Sequence, residues 1–167
     1  MIFYYLDASA WVKRYYMEPG TRWVQGLFGQ NPLIACASLG LIEVMATLAR
    51  KRKARDIDLL SFQRKVQELE EDWRRFIQIQ LTTETIDRAK DLARDMALRG
   101  ADAVHLASAL GLQRRFADAE DRLIFVAADR ELQEIAQASG LPIIDPEAQE
   151  QQTMANPRNG AQEENAT

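Results

Sequence analysis

Cysteine and histidine are nearly missing from this sequence, which has one of each, Cys36 and His105, among 167 residues. A single cysteine cannot form an internal disulfide, and no Cys/His group has the spacing of a zinc site. The sequence therefore excludes a disulfide-rich scaffold and a zinc finger. Its cysteine content favours a reducing, cytoplasmic environment.

Long apolar runs are also absent. The longest weakly polar stretch, residues 33–42, is far shorter than the roughly 18 apolar residues that indicate a membrane-spanning helix. Residues 1–6 lack the basic region that begins a signal peptide. We therefore expect neither membrane insertion nor signal-directed export.

An excess of basic residues is lacking as well, since the net charge is −4. Residues 146–167 contain four Glu and one Arg, so residues 1–145 have a charge of only −1. A nearly neutral body is compatible with a nucleic acid partner but does not require one. Residues 146–167 also have no aromatic residue, Leu, Ile or Val, which predicts a disordered C-terminal tail.

Short apolar runs alternate with segments of helical periodicity along residues 1–145. This alternation predicts an α/β fold with three α/β/α layers and a mostly parallel central sheet. The period-two run 77–81 predicts a strand near a sheet edge. The predicted strands are residues 2–6, 33–37, 77–81, 122–127 and 141–144.

An amphipathic segment, residues 58–76, has apolar residues spaced three and four apart. It is too short to establish a coiled coil. Packing on the domain's own core is the favoured interpretation, and docking of a partner is the alternative.

Four acidic residues lie near the ends of predicted strands or the starts of helices. Asp7 and Asp129 directly follow strands, Glu43 lies one turn into a helix after a strand, and Asp102 follows Gly100 as the expected N-cap of a buried helix. Each could simply cap its helix or be an exposed residue on it. In parallel sheets, however, ligands bind beyond the carboxyl ends of the strands, where all four can converge.

Four acids that converge without cations would repel one another and raise one another's pKa. A hard divalent ion such as Mg²⁺ or Mn²⁺ relieves this repulsion, because it prefers oxygen ligands. Bound ions of this kind activate water and stabilise charge during displacement at phosphorus. The residues therefore point to metal-dependent phosphodiester or phosphoryl chemistry.

Four stretches resemble the PIN-domain family, in the same order along the chain, over residues 1–145. The closest likeness is to the VapC group, the ribonuclease toxins of type II toxin–antitoxin pairs. The four stretches are Tyr5-Leu-Asp-Ala-Ser-Ala-Trp-Val-Lys13, the spacing from Ser38 to Glu43, Leu98-Arg-Gly-Ala-Asp-Ala-Val-His-Leu-Ala-Ser-Ala-Leu110, and Phe125-Val-Ala-Ala-Asp-Arg-Glu-Leu132.

The resemblance implies that Asp7, Glu43, Asp102 and Asp129 are the catalytic, metal-binding acids. It also implies that Ser9 hydrogen-bonds one of them. By the same resemblance, residues 1–145 form a PIN-like nuclease domain that cleaves RNA with Mg²⁺ or Mn²⁺. A homodimer and a cognate antitoxin protein are the partners it implies.

The remaining candidate residues have structural alternatives. Basic side chains can contact RNA phosphates, but they can equally form a solvated helix end. These candidates are Lys13, Arg14, Arg50, Lys51 and Arg52. His105 is expected to face the core with hydrogen-bond partners rather than to act as a general base. Trp11 and Tyr15 are expected in the core.

Two other kinds of function were compared with this prediction. A haloacid-dehalogenase-like phosphatase needs an Asp two residues after the first, where this chain has Ser9. No glycine-rich phosphate loop is present. A non-catalytic RNA-binding or scaffold protein of the same fold is the alternative, and the presence of all four acids argues against it.

Overall fold

The computed structural model describes residues 1–116 and 121–155. Five parallel strands form one sheet in the order β3-β2-β1-β4-β5. The predicted parallel sheet is therefore confirmed, with β3 at an edge but three residues long rather than five. The strands are β1 Ile2–Leu6, β2 Leu33–Ala37, β3 Ile77–Ile79, β4 Arg122–Val126 and β5 Ile143–Ile144.

Helices connect these strands and cover both faces of the sheet. They are α1 Ala8–Trp11, α2 Thr21–Gly29, α3 Ser38–Lys53, α4 Leu59–Arg75, α5 Thr83–Met96, α6 Gly100–Arg115, α7 Arg130–Ala138 and α8 Pro146–Ala155, with a 3₁₀ turn at Val12–Arg14. Within the described residues, none of these helices has the length and apolar character needed to cross a membrane.

Alternate side chains of the strands point into two separate cores. On β1, Phe3 and Tyr5 pack with α5, α6 and α7, whereas Leu6 packs on the opposite face with α1, α3 and α4. A strand that is apolar on both sides is what a sheet covered on both faces requires. Trp11 and Tyr15 belong to the second core, as predicted.

Helix α4 packs on the domain's own core, as the favoured interpretation of residues 58–76 predicts. Leu69 is fully buried, and Trp73 and Phe76 pack in the same core as Val44 and Leu48 of α3. The first turn is different, because Leu59 and Leu60 are exposed.

The start of α6 differs from the prediction. Asp102 lies in the first turn of α6, and Arg99 occupies the N-cap position instead. Gly100 begins α6 rather than ending α5, because Ala97 already terminates α5 in the left-handed conformation, with φ of 55°. The carboxylate of Asp102 is therefore free to make contacts other than a cap.

The prediction of a disordered tail is wrong for residues 146–155, which form α8 and pack against α2. Pro146 is buried, Glu147 accepts a hydrogen bond from Lys13, and Glu150 accepts one from the backbone N–H of Arg22. These polar contacts fix a segment that has little apolar surface of its own. The rest of the predicted tail, residues 156–167, lies outside the described residues.

Candidate metal centre

Asp7 follows β1 and caps α1 at the carboxyl edge of the sheet. Its Oδ1 accepts hydrogen bonds from the hydroxyl of Ser9 at 2.7 Å and from the backbone N–H of Ala10 at 3.0 Å. The side chain is buried, and this burial raises the pKa of the carboxyl, an effect that nearby His105 and the bond from Ser9 oppose. Asp7 is thus both a helix cap and a buried carboxyl at the strand end.

Ser9 connects Asp7 to the neighbouring strand. Its Oγ donates to Asp7 and accepts a hydrogen bond of 2.8 Å from the backbone N–H of Ala128, just after β4. The expectation that Ser9 hydrogen-bonds a candidate ligand acid is confirmed. Since each end of this bridge is fixed, Ser9 restrains the orientation of the Asp7 carboxylate.

Glu43 on α3 is held by His105 on α6. The Oε2 atom of Glu43 lies 2.7 Å from Nε2 of His105, whose Nδ1 lies 3.1 Å from the hydroxyl of Tyr5. A carboxylate only accepts hydrogen bonds, so Nε2 must be the protonated donor. The Tyr5 oxygen also accepts a hydrogen bond from the backbone N–H of Ala37. His105 is therefore buried and hydrogen-bonded, as expected, but one of its partners is a candidate metal ligand.

Asp102 and Asp129 share one guanidinium group. Nε of Arg99 lies 2.7 Å from Oδ2 of Asp102, and Nη2 of Arg99 lies 2.8 Å from Oδ2 of Asp129. The other oxygen of Asp129 accepts the backbone N–H of Leu132 at 3.0 Å and caps α7. The two carboxylates, 27 residues apart in sequence, thus lie on either side of one cation.

The four acids lie at the same carboxyl edge. Besides the shared Arg99, the charge of Asp102 is close enough to raise the pKa of Asp7, and the His105 that holds Glu43 is close enough to lower it. Within residues 1–116 and 121–155, however, no three Asp, Glu, His or Cys side chains form a ready-made metal cage. The acids therefore converge without forming a compact set of ligands in this arrangement.

The donor set fits a hard divalent ion. Carboxylate oxygens are the ligands that Mg²⁺ and Mn²⁺ prefer, and such ions retain water rather than needing a complete protein cage. The pair Asp102 and Asp129 already binds positive charge, in the form of the Arg99 guanidinium. These observations agree with the residue types that the sequence singled out.

A comparison with known protein families shows which family the chain belongs to. The sequence model of the PIN domain matches residues 4–138, which is most of the chain and includes all four acids. The chain belongs to the PIN domain family. The sequence-based resemblance to this family is therefore confirmed.

Two relatives agree with this PIN assignment. Ribonuclease VapC45 of Mycobacterium tuberculosis (strain CDC 1551 / Oshkosh) is 34% identical over 136 residues, which cover 81% of this chain and 90% of the relative. Ribonuclease VapC49 of Mycobacterium tuberculosis (strain ATCC 25618 / H37Rv) matches with the same identity and coverage.

Solved structures share the PIN fold at low sequence identity. The crystal structure of PAE2754 from Pyrobaculum aerophilum has a TM-score of 0.63 and 18% identity, covering 92% of this chain and 90% of that one. The crystal structure of VapBC2 from Rickettsia felis, bound to a DNA fragment from its promoter, has a TM-score of 0.57 and 16% identity. The match covers 87% of this chain and 98% of that one. These likenesses support the three-layer architecture.

The basic residues that were predicted to contact RNA have different surroundings. Lys13 is buried, and its Nζ donates to Glu18, to Glu147 and to the carbonyl of Pro19, so the expectation that it contacts RNA is wrong. Arg14 donates to Asp72 and lies over the ring of Phe28, which commits its guanidinium to contacts within the domain. Both side chains stabilise the fold.

The C-terminal turns of α3 retain an exposed basic surface. Arg50 and Arg52 are exposed, and the half-buried Lys51 lies over the ring of Tyr16 at 3.4 Å. A groove of about 300 Å³ joins Ser9 and Glu43 to Arg50. Of the remaining RNA-contact candidates, Arg50 therefore lies at the end of a groove that begins beside Ser9 and Glu43.

Two residues at this candidate metal centre were not identified from the sequence. Arg99 could have been suspected because it precedes Asp102 by three residues, a spacing that brings side chains together near a helix start. Tyr5 gave only the signal of a buried strand residue. Its contact with His105, 100 residues away, depends on how α6 packs under the sheet.

Proposed function

We propose that this chain is a metal-dependent endoribonuclease that hydrolyses phosphodiester bonds of RNA. The main supporting observation is that Asp7, Glu43, Asp102 and Asp129 lie at the carboxyl edge of the sheet, where a groove beside Ser9 and Glu43 leads to Arg50. The names of the two mycobacterial relatives, both called ribonucleases, agree with this assignment.

Asp7, Asp102 and Asp129, with Glu43, would hold the divalent ion or ions. Mg²⁺ or Mn²⁺ would activate water and stabilise the negative charge that develops on the phosphate. Ser9 keeps the Asp7 carboxylate oriented, and His105 does the same for Glu43. Restraints of this kind on ligand side chains support both metal affinity and catalysis.

The groove from Ser9 to Arg50 offers a path for the RNA strand. Ala8, Val12 and Ile42 give it apolar walls that can contact bases, while Arg50 can bind a phosphate. Contacts of basic side chains to phosphates add affinity that is independent of sequence. The groove thus suits a single-stranded or locally opened RNA next to the acids.

The test uses purified protein and mixed single-stranded RNA with Mn²⁺, Mg²⁺ or EDTA. The wild type should cleave RNA with either metal and lose activity in EDTA. The double variant Asp7→Asn, Asp102→Asn should be inactive. A matched control, Asp87→Asn with Asp95→Asn, removes the same charge from exposed positions of α5 and should remain active.

The alternative is a non-catalytic RNA-binding or scaffold PIN protein. Retained RNA binding in a gel-shift assay, with no cleavage in either metal, would favour it over the nuclease. Cleavage that persists in the Asp7 and Asp102 double variant would show that these acids are not the catalytic centre.

We also propose that the ribonuclease is the toxin of a type II pair, acting as a homodimer under a cognate antitoxin. Solved relatives of this fold include a toxin–antitoxin complex from Klebsiella pneumoniae. Expression of the wild type alone should arrest growth, and co-expression of a small neighbouring gene product should relieve the arrest. The Asp7 and Asp102 double variant should be harmless without any partner.

A further inference from the structure

Each acid of the centre has a partner, but the partners differ in kind. Asp7 is restrained by a hydroxyl and a backbone N–H, and Glu43 by the ring of His105. Asp102 and Asp129 instead share the guanidinium of Arg99. Among the ion pairs in the described part of the chain, this is the one that places a permanent cation on two candidate metal ligands.

The position of Arg99 conflicts with a metal ion at the same oxygens. Its nitrogens lie 2.7 and 2.8 Å from Oδ2 of Asp102 and Oδ2 of Asp129. A divalent ion that binds both Oδ2 atoms at about 2.0–2.1 Å would compete with the guanidinium for the same acceptors. Arginine also does not lose its proton in proteins, so its charge leaves only if the side chain moves.

Movement of this side chain is easy. The Arg99 side chain is 70% exposed, and its backbone, not its side chain, forms the N-cap of α6. The carbonyl of Arg99 accepts the backbone N–H of Ala103 whatever the guanidinium does. The side chain can therefore rotate into solvent without opening the core or unwinding α6.

We propose that Arg99 is an internal counter-cation of the acid centre, which a divalent metal ion must displace from Asp102 and Asp129 in order to bind. The inference rests on the proposed metal-dependent function. In the metal-free protein, the single charge of Arg99 offsets one of the two negative charges of Asp102 and Asp129 and reduces their repulsion of each other and of Asp7. In exchange, it weakens the apparent affinity of the site for the ion, because the ion competes with an intramolecular cation.

The experiment is titration calorimetry with Mn²⁺ on the wild-type protein, Arg99→Gln and Arg130→Gln. Arg130 is the matched control, because it follows Asp129 directly but pairs with Glu134 on the surface of α7. Arg99→Gln should bind Mn²⁺ at least about fivefold more tightly than the wild type, since two charge-assisted hydrogen bonds no longer compete. Arg130→Gln changes the net charge equally and should shift the affinity far less.

A second measurement separates competition from a general loss of structure. Urea unfolding in EDTA should show that Arg99→Gln is less stable than the wild type. The same excess of Mn²⁺ should stabilise it by more than it stabilises the wild type, because stabilisation by a ligand rises with the logarithm of the ligand concentration divided by Kd. A merely structural ion pair would lower stability with and without metal and leave Mn²⁺ affinity unchanged.

The outcomes distinguish this inference from the proposed function. Equal or weaker Mn²⁺ binding by a folded Arg99→Gln protein, with normal binding by the wild type, would overturn the role of Arg99 alone. If wild type and variant both fail to bind Mn²⁺ or Mg²⁺, the proposed metal-dependent function and this inference both fall. An equal increase of Mn²⁺ affinity in Arg130→Gln would assign the effect to net charge and not to the contacts of Arg99.

Discussion

The Nε2 atom of His105 lies 2.7 Å from Oε2 of Glu43, and this contact links α6 to α3 across 62 residues of sequence. The other ring nitrogen faces the hydroxyl of Tyr5 at 3.1 Å. Tyr5 also stacks on Phe125, with ring centroids 5.4 Å apart. One histidine thus joins a candidate metal ligand to the central strands of the sheet.

Replacement of His105 by Ala should free Glu43 without removing any of the four acids. We expect the RNase activity to fall about 10–100-fold, as for other residues that orient metal ligands. Because Tyr5 and Glu43 lose a buried partner, stability should fall by about 1–3 kcal/mol. Cleavage rates and Mn²⁺ affinity test this expectation.

The conservative variant His105→Gln provides the control for that prediction, because its amide can still donate to Glu43. It should retain more activity than His105→Ala. Full activity of the alanine variant would show that Glu43 does not need to be fixed.

Substitution of Gly40 should also disturb the contact between His105 and Glu43, because a side chain at position 40 would press on the His105 ring. A Cβ at position 40 would collide with the Sγ of Cys36 and lie 3.1 Å from Cε1 of His105. Gly40→Ala should therefore destabilise the fold by about 1–3 kcal/mol through overpacking. It should also reduce activity. Urea unfolding and cleavage rates measure the two effects.

Gly111, in α6, is the matched control for Gly40. A Cβ there meets no heavy atom within 4 Å. Gly111→Ala should stabilise the protein by about 0.5–1 kcal/mol, because alanine loses less backbone entropy in a helix. If both alanine variants behaved alike, helix propensity and not the Cys36 contact would explain them.

Burial raises the pKa of Asp7, which has a consequence for stability. As pH rises from the usual pKa range of aspartate through the raised pKa of Asp7, the unfolded chain loses this proton before the folded chain does. The contribution of Asp7 to stability therefore falls across this window in metal-free protein. Asp7→Asn removes the ionisation and keeps an acceptor for Ser9, so it should be more stable than the wild type at neutral pH in EDTA.

Urea unfolding at a series of pH values, in EDTA, tests this prediction. The quantity compared is the free energy of unfolding of the wild type and of Asp7→Asn. Asp129→Asn is the control, because it also keeps a capping oxygen but loses the charge that Arg99 binds. It should be less stable than the wild type at neutral pH. An Asp7→Asn protein that is also less stable there would contradict the role of burial.

Lys13 should stabilise the attachment of α8. Its buried Nζ joins Glu147, the second residue of α8, to Glu18 and the carbonyl of Pro19. Lys13→Met should destabilise the protein by roughly 1–3 kcal/mol, the range for charged hydrogen bonds whose partners keep some access to water. Limited proteolysis should then cleave α8 faster than in the wild type.

Lys90→Met is the matched control for Lys13. Lys90 is exposed on α5 and pairs with the exposed Asp87. This variant should leave both stability and proteolysis of α8 almost unchanged. Equal effects of the two variants would mean that loss of charge, and not the buried contacts of Lys13, is responsible.

Arg50 and Arg52 should contribute to RNA affinity through phosphates. The double variant Arg50→Gln, Arg52→Gln should weaken binding and reduce the slope of log affinity against log salt by about one or two. The control pair Arg74→Gln, Arg75→Gln removes the same charge from the exposed end of α4. Filter binding at several salt concentrations measures the affinity and its salt dependence for both double variants. Equal slopes of log affinity against log salt would contradict a local contact of Arg50 and Arg52 with RNA.

Much of the architecture and the identity of the acids could be predicted from the sequence. Apolar runs that are unbroken along a strand, such as residues 2–6, require cover on both faces, and this requirement is local. Asp7 and Asp129 could be placed at strand ends because each follows such a run and caps the next helix. The tail prediction failed for α8 because its fixing contacts come from Lys13, 134 residues away from Glu147.

The sequence by itself determined the parallel α/β sheet, the acids at its carboxyl edge and the membership of the PIN domain family. Only the tertiary structure decided which groups surround those acids. Arg99 reaches Asp129 across 30 residues, His105 reaches Glu43 across 62, and Lys13 is buried rather than exposed. Periodicity and capping depend on neighbours in sequence, whereas these pairings depend on the packing of helices against the sheet.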